Sequence, residues 1–307
     1  MRRPVQSYVL IGLAVGDALG MPWEMMAPED GRLVEWDGEM APGDRPPEVG
    51  GPLPAGATTD DTAMTVALAE SLVANGNRFV GPDIAARYLE WARHGGTRMG
   101  KTTRIAMNRL EAGLSWTQSA VAVPEGDVTR VGAGTAMRCA PLAFAKGLNS
   151  DMISAEAHIT HRDNEAVEGS RYVVKAVWEA LNGKKHWGLE PPYRTLTAAK
   201  LAYGQRLKNL DSLEPGQVFK LLGRNGSVSS IIATADYCVT TATSYTEGIQ
   251  MAVRAGGDTD TRAAIVGAIL GAKFGLGEEK GIPERWIEQV QGSKHILDLE
   301  SRLMEGT

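Results

Sequence analysis

Two short acidic clusters carry the clearest chemical signal in this chain. Thr58-Thr59-Asp60-Asp61-Thr62 precedes an apolar helical stretch at Ala63, and Gly256-Gly257-Asp258-Thr259-Asp260-Thr261 precedes another at Arg262. Thr and Asp at a helix start accept hydrogen bonds from the free N–H groups there, and a carboxylate gains from the helix dipole. Capping alone uses one such residue, whereas each cluster offers several. Asp258 and Asp260 are two positions apart, a spacing that suits a turn leading into a helix and would splay them on a regular helical face. If both helix starts face one cleft, Asp60, Asp61, Asp258 and Asp260 converge, and their repulsion calls for a cation. Carboxylate and hydroxyl oxygens are hard donors that favour Mg2+, Mn2+ or Ca2+, and the absence of nearby Cys and His argues against zinc.

Other elements carry weaker signals. Gly95-Gly96-Thr97-Arg98-Met99-Gly100-Lys101-Thr102 matches the phosphate-loop pattern letter by letter. Such a loop must follow a buried strand, but Ile84 to Arg93 has helical spacing with charges spread through it. No apolar strand ending in Asp follows to hold magnesium, so the context argues against a nucleoside triphosphatase. Gly132-Ala133-Gly134-Thr135-Ala136-Met137-Arg138 leads into an apolar stretch read as a helix from Ala136 to Phe144. Its backbone N–H groups either hold an anion such as phosphate or make a tight turn into the core. His161, in Thr160-His161-Arg162-Asp163, is either a loop histidine or a ligand contact. Cys139 and Cys238, each in an apolar stretch and without a paired spacing, read as small core residues.

The elements that must position these residues read as helices. Apolar and small residues recur at helical spacing over Val5 to Leu19, Ala63 to Val73, Ile84 to Trp91, Thr103 to Leu110, Ala166 to Leu181, Val228 to Ala242 and Arg262 to Phe274. Strand signals are weak, so the fold class is all-α. The run Ala263 to Ala272 is so rich in Gly and Ala that it belongs at the centre, where neighbouring backbones approach closely. Gly38 to Ala57 contains five prolines among several glycines and predicts a long loop of the kind that serves as a lid. Residues 183–226, broken by Pro191-Pro192, mark an insertion or small subdomain within a single domain spanning 1–307.

Composition narrows the function classes. Apolar residues make up 43% and charged residues 22% of the 307, which is the balance of a globular chain with a sizeable core. The formal net charge of −5 argues against a general nucleic-acid surface, because such binding needs many Lys and Arg contacts to phosphate. Met1-Arg2-Arg3 and the apolar residues after Tyr8 faintly imitate a signal peptide, but Asp17 and Glu24 follow where a small-residue cleavage region would stand. No run approaches the ~18 apolar residues of a membrane span, and the expected location is the cytoplasm. Nothing marks a dimer surface, and the oligomeric state stays open.

Taken in order, the motifs resemble the ADP-ribosylglycohydrolase family. They are Gly16-Asp17-Ala18-Leu19-Gly20 with Glu24 just after, Thr59-Asp60-Asp61-Thr62, Ala136-Met137-Arg138 with Pro141, Thr160-His161, and the Gly256 to Thr261 cluster. The resemblance implies an orthogonal multi-helix bundle with two Mg2+ or Mn2+ ions at the bottom of a cleft. By position, Thr59, Asp60, Asp61 and Asp260 look like ligands of one ion, and Asp258, Asp260 and Thr261 like ligands of the other. Glu24 matches a flap glutamate near the scissile bond, with the Pro/Gly loop as the flap. Gly100, Gly134, Thr135 and His161 match positions lining the ADP-ribose channel. The implied reaction is hydrolysis of the bond between ADP-ribose and a modified protein or small molecule, with the ions fixing the ribose hydroxyls and activating water. Glu24 or Asp61 would move the proton.

The chain also departs from the family pattern. Relatives commonly carry Asp-Ile-Gly-Asn-Thr-Thr-Arg where this chain has Arg98-Met99-Gly100-Lys101-Thr102-Thr103-Arg104, so two positions beside the channel become basic. Ala133 stands where Asn is common, which removes a hydrogen-bonding group. These changes make an arginine-linked substrate less apt and a phosphate-rich or negatively charged one more apt. They also motivate an alternative reading, a non-catalytic ADP-ribose-binding protein on the same fold. A third reading, metal-dependent phosphoester hydrolysis, would cleave the pyrophosphate to AMP rather than release intact ADP-ribose.

Overall fold

A computed structural model describes residues 7–26, 34–45, 51–122, 131–183 and 213–306. These residues form α1 (Val9–Gly20), α2 (Asp60–Ala74), α3 (Gly81–Arg93), α4 (Lys101–Glu111), α5 (Ser150–Ala157), α6 (Asn164–Asn182), α7 (Pro215–Leu222), α8 (Val228–Thr241), α9 (Tyr245–Arg254), α10 (Thr259–Phe274), α11 (Glu284–Gln289) and α12 (Ser293–Glu305). Short 3-10 helices cover Met21–Trp23 and Ala140–Phe144. Among the described residues, β-pairing occurs only as isolated bridges such as Gly43 with Leu53, so the fold is the all-α multi-helix bundle expected from the helical periodicity.

The centre of the bundle is the pair α1 and α10, both buried along almost their whole length. Glycine makes this pairing possible. A Cβ at Gly16 would stand 2.0 Å from the Ala263 carbonyl oxygen, and one at Gly20 would stand 2.4 Å from that of Thr259. The helices therefore meet backbone to backbone, and the helix-propensity cost of the glycines is offset by close packing. This contact has a consequence for chemistry, because Thr259 Oγ1 donates to the Gly20 carbonyl at 2.8 Å and so ties the start of α10 to the end of α1. Around the pair, α10 packs on α6, α8 and α9, while α2 packs on α1, α3 and α12.

Buried polar groups lock the shell to this core. Glu300 of α12 reaches the N-terminus of α1 and accepts hydrogen bonds from the N–H groups of Val9, Leu10 and Ile11, which are orphans of a first turn. Arg138 and Glu156, both fully buried, pair at 2.6 Å, and the Tyr88 hydroxyl from α3 donates to the same Glu156 oxygen at 2.8 Å.

The structure corrects the expected helix from Ala136 to Phe144. Residues 134–138 form turns, and only Ala140–Phe144 is helical, as a 3-10 segment. Pro141 has no N–H to donate back to the Met137 carbonyl, which instead accepts from Thr65 Oγ1 at 3.4 Å. The acidic clusters lie within the first turns of their helices rather than ahead of them, with Thr59 and Asp258 as the N-cap residues. Val5 and most of the proposed insertion, residues 184–212, lie outside the described residues, as do residues 46–50 of the Pro/Gly loop. Among the described residues, no helix is long and apolar enough to cross a membrane.

Candidate functional site

The two acidic helix starts meet, although they are 200 residues apart. Thr261 Oγ1 at the start of α10 donates to Asp61 Oδ2 at the start of α2, at 3.4 Å. Both helices are held there by α1. Asp17, in the middle of that buried helix, accepts from the Thr59 N–H at 2.9 Å, Thr59 Oγ1 at 3.0 Å, Thr62 N–H at 3.2 Å and Thr62 Oγ1 at 2.6 Å. Asp17 thus caps α2 from outside it, and Thr59 supplies the local cap by accepting from the Asp61 N–H. With capping done by these two, the Asp60 and Asp61 carboxylates are left for other work. Asp258 makes no side-chain cap bond to α10 either.

These side chains border a cavity of about 300 Å3, lined by Glu24, Asp60, Asp61, Asp258, Asp260 and Thr261 together with Gly100, Lys101, Gly134, Met137 and His161. One carboxylate oxygen each from Glu24, Asp258 and Asp260 lies within 4.8 Å of the others. Asp61 Oδ1 is buried with no hydrogen-bond partner. Electrostatics reflect the crowding. Burial first, then the Asp17 charge, pushes Asp60 well above the usual carboxylate range, and Asp61 is raised by burial and by Asp17, Asp60 and Asp258. Asp260 is raised by burial and then by Glu24, Asp258 and Asp61. Burial lifts Asp17 itself to about 6 against the opposing pull of its four hydrogen bonds. Unpaired carboxylates this close are held apart from their ionised state unless a cation joins them. Hard oxygen donors, an orphan carboxylate oxygen and mutual repulsion together fit a hard divalent cation.

Glu24 follows the 3-10 segment Met21–Trp23, and the next residue, Met25, donates its N–H to the Gly257 carbonyl at 2.6 Å, joining this segment to the Gly-Gly-Asp turn. That turn is fixed from below by Arg262, a buried guanidinium that donates to the carbonyls of Gly256, Gly223 and Asn225. On the other wall, His161 is buried and hydrogen-bonded through Nδ1 to Thr160 Oγ1 at 2.8 Å. Burial and the nearby Arg138 lower His161 to about 3, so it stays neutral and serves as a hydrogen-bonding group rather than a cation. Gly134 lies against it, and a Cβ there would come within 2.9 Å of the imidazole.

Most residues singled out in the sequence reach the cavity, with two exceptions. Thr59 stands behind the cluster, bonded to Asp17, and the Thr135 hydroxyl points into the core, donating to the Ala166 carbonyl at 2.9 Å. The phosphate-loop pattern is preceded by α3 rather than a strand, and Gly100 is simply the N-cap of α4. Asp17, Arg98 and Arg45 were not picked out for the roles they take here. A lone carboxylate within the apolar run of α1 was the visible signal for Asp17, since such a residue is rarely buried unpaired. Arg98 and Arg45 both donate to Glu24 Oε2, at 3.0 and 2.6 Å.

Comparison with known proteins identifies the family. The family model for ADP-ribosylglycohydrolase matches residues 8–307. The chain is 28% identical to the ADP-ribosylarginine hydrolase Tri1 of Pseudomonas putida, over 96% of this chain and 76% of that one. It is 29% identical to the ADP-ribosyl-[dinitrogen reductase] glycohydrolase of Rhodospirillum rubrum, over 91% and 88% respectively. A solved structure described as an ADP-ribosylglycohydrolase-related protein complex superposes with a TM-score of 0.69 at 30% identity, covering 97% of this chain and 96% of that one. With the match running from α1 through both acidic helix starts to α12, the chain belongs to the ADP-ribosylglycohydrolase family and is an enzyme of the glycohydrolase class.

Proposed function

We propose that the chain is a metal-dependent hydrolase that cleaves the glycosidic bond between ADP-ribose and a modified protein side chain or small molecule. The observation that carries this reading is the buried, unpartnered Asp61 Oδ1 within the converging carboxylates of two helix starts. Asp60, Asp61, Asp258, Asp260 and Thr261 would hold two Mg2+ or Mn2+ ions, with Thr59 behind them fixing Asp61. A bound divalent ion supplies Lewis acidity that orients the ribose hydroxyls and favours attack of water at the anomeric carbon.

The remaining steps belong to the chain. Gly134 and His161 would line the channel for the ADP moiety, the neutral imidazole offering a hydrogen bond without charge, and the N–H groups at the start of α4 beside Gly100 would face its phosphates. Two guanidinium donors converge on Glu24 Oε2, so Oε1 is the oxygen left to handle a proton at the reacting bond. Asp61, whose Oδ1 has no protein partner, is the second candidate for that proton.

Incubation with Mg2+ and ADP-ribosylated peptides, following intact ADP-ribose by mass, tests the reading. Release that requires metal and disappears in Asp258→Ala supports it. The double guanidinium hold on Glu24 favours a second reading, a protein that binds ADP-ribose without turnover. Tight binding of ADP-ribose with no release from any linkage would select that alternative, and AMP as the product would point to phosphoester hydrolysis instead.

A further inference from the structure

We infer that Arg98 determines which linkage the site accepts, favouring ADP-ribose joined through a hydroxyl or carboxylate oxygen and disfavouring a guanidinium leaving group. This rests on the hydrolase reading above. Arg98 lines the cavity, yet its side chain is only 2% exposed. Nη1 donates to Glu24 Oε2 at 3.0 Å and to the Met21 carbonyl at 3.2 Å, while Nε and Nη2 are buried without partners. Its backbone has φ of 57°, the left-handed region that costs a non-glycine residue energy, so the surrounding structure holds it there.

Gly43 and Arg45 of the Pro/Gly loop lie beside this site. A Cβ at Gly43 would come within 3.1 Å of Arg98 Nη2, and two residues later Arg45 adds a second guanidinium to the same Glu24 oxygen. At Glu24, therefore, this wall carries two guanidinium groups on one carboxylate oxygen. Burial of Arg98 shields its charge from screening by salt. Glu24 borders Arg98 on one side and the carboxylate cluster on the other, one of its carboxylate oxygens lying within 4.8 Å of one from each of Asp258 and Asp260. Arg98 and the carboxylates line the same cavity, so a group leaving a sugar bound there would depart in the field of its charge.

In the hydrolysis, water delivers its hydroxyl to the anomeric carbon and its proton to the leaving atom. An oxygen leaving group is neutral or anionic before that proton arrives, and Arg98 stabilises the negative charge that develops on it. An ADP-ribosylated guanidinium is cationic and meets repulsion from the same residue.

The experiment uses the full chain with Mg2+ and matched peptides ADP-ribosylated on arginine, serine or glutamate, with spontaneous ester hydrolysis subtracted. The wild type is expected to show kcat/KM at least about tenfold higher for the oxygen linkages than for arginine. Arg98→Asn removes the charge while tolerating the left-handed backbone, and it should raise the arginine-to-serine ratio by about tenfold or more. Arg98→Lys keeps a charge and should keep the wild-type order. Wild-type preference for arginine, or equal shifts in both variants, overturns this inference and leaves the hydrolase intact. Failure to release ADP-ribose from any linkage overturns the hydrolase reading and this inference with it.

Discussion

Two of the regions that bury carboxylates treat the charge in opposite ways. At Glu156, the chain supplies the counterion itself: Arg138 pairs with one oxygen at 2.6 Å, stacks over the Tyr88 ring at 4.8 Å and also donates to the Gly134 carbonyl at 2.8 Å. At the starts of α2 and α10, Asp60, Asp61 and Asp260 are also buried, yet the charges acting on each are those of other carboxylates. A buried charge that is paired and hydrogen-bonded fixes a fold, whereas a set left unpaired stores repulsion that a solute cation relieves. Arg138 also joins the regions, because the carbonyl it holds belongs to the glycine that packs on His161 in the cavity wall.

That contrast can be tested by removing charges from each region in turn. The largest effect is expected at the unpaired set: Asp60→Ala or Asp258→Ala should lower metal-dependent turnover by at least about a thousandfold, which is several kcal/mol of lost transition-state stabilisation. Metal-free melting of these variants should stay at or above that of the wild type, because repulsion is removed with the carboxylate. A clear drop in melting would make the cluster structural.

At the paired region the outcome should reverse. Glu156→Ala leaves Arg138 buried and unpaired, so it should destabilise the fold by about 3–5 kcal/mol in denaturant titrations. An unchanged transition midpoint would show that the pair contributes nothing.

Adding Mg2+ separates the regions by their effect on stability. At a hundredfold excess over its dissociation constant it should stabilise the wild type by about 2.7 kcal/mol. Chelation should reverse the gain, Asp258→Ala should lose most of it, and Glu156→Ala should retain it. Calorimetric melting with and without metal reads all three.

The smallest effect concerns His161, which touches both regions. Its folded value of about 3 lies below the ordinary 6.5, so between these values the unfolded chain binds a proton that the folded chain refuses. Stability from this residue is complete above about 6.5 and falls as pH drops, by about 2 kcal/mol on reaching pH 5. His161→Gln should flatten that slope; identical acid profiles for the two proteins would mean that the imidazole titrates freely.

Much of the fold was legible from periodicity. The helices around Ala63 to Val73, Ala166 to Leu181 and Arg262 to Phe274 stand where the spacing of apolar residues puts them, because burial of one helical face is a local pattern. The stretch Ala136 to Phe144 was misread for an equally physical reason: its apolar residues do face the core, but Pro141 and side-chain bonds decide its backbone. The helices α5, α9, α11 and α12 lie in sequence that periodicity does not single out.

For the site, the sequence by itself determined the chemistry of the parts: hard oxygen donors at two helix starts, glycine where backbones and ligands must approach, and no sulfur or imidazole set for zinc. Only the tertiary structure decided that α1 brings those starts together, that Asp17 and Thr59 take over the capping, and that Arg98 and Arg45 close on Glu24. The residue types are written along the chain, but whether two charges attract, repel or ignore each other depends on a distance of a few ångströms between residues far apart in sequence. Packing alone sets that distance.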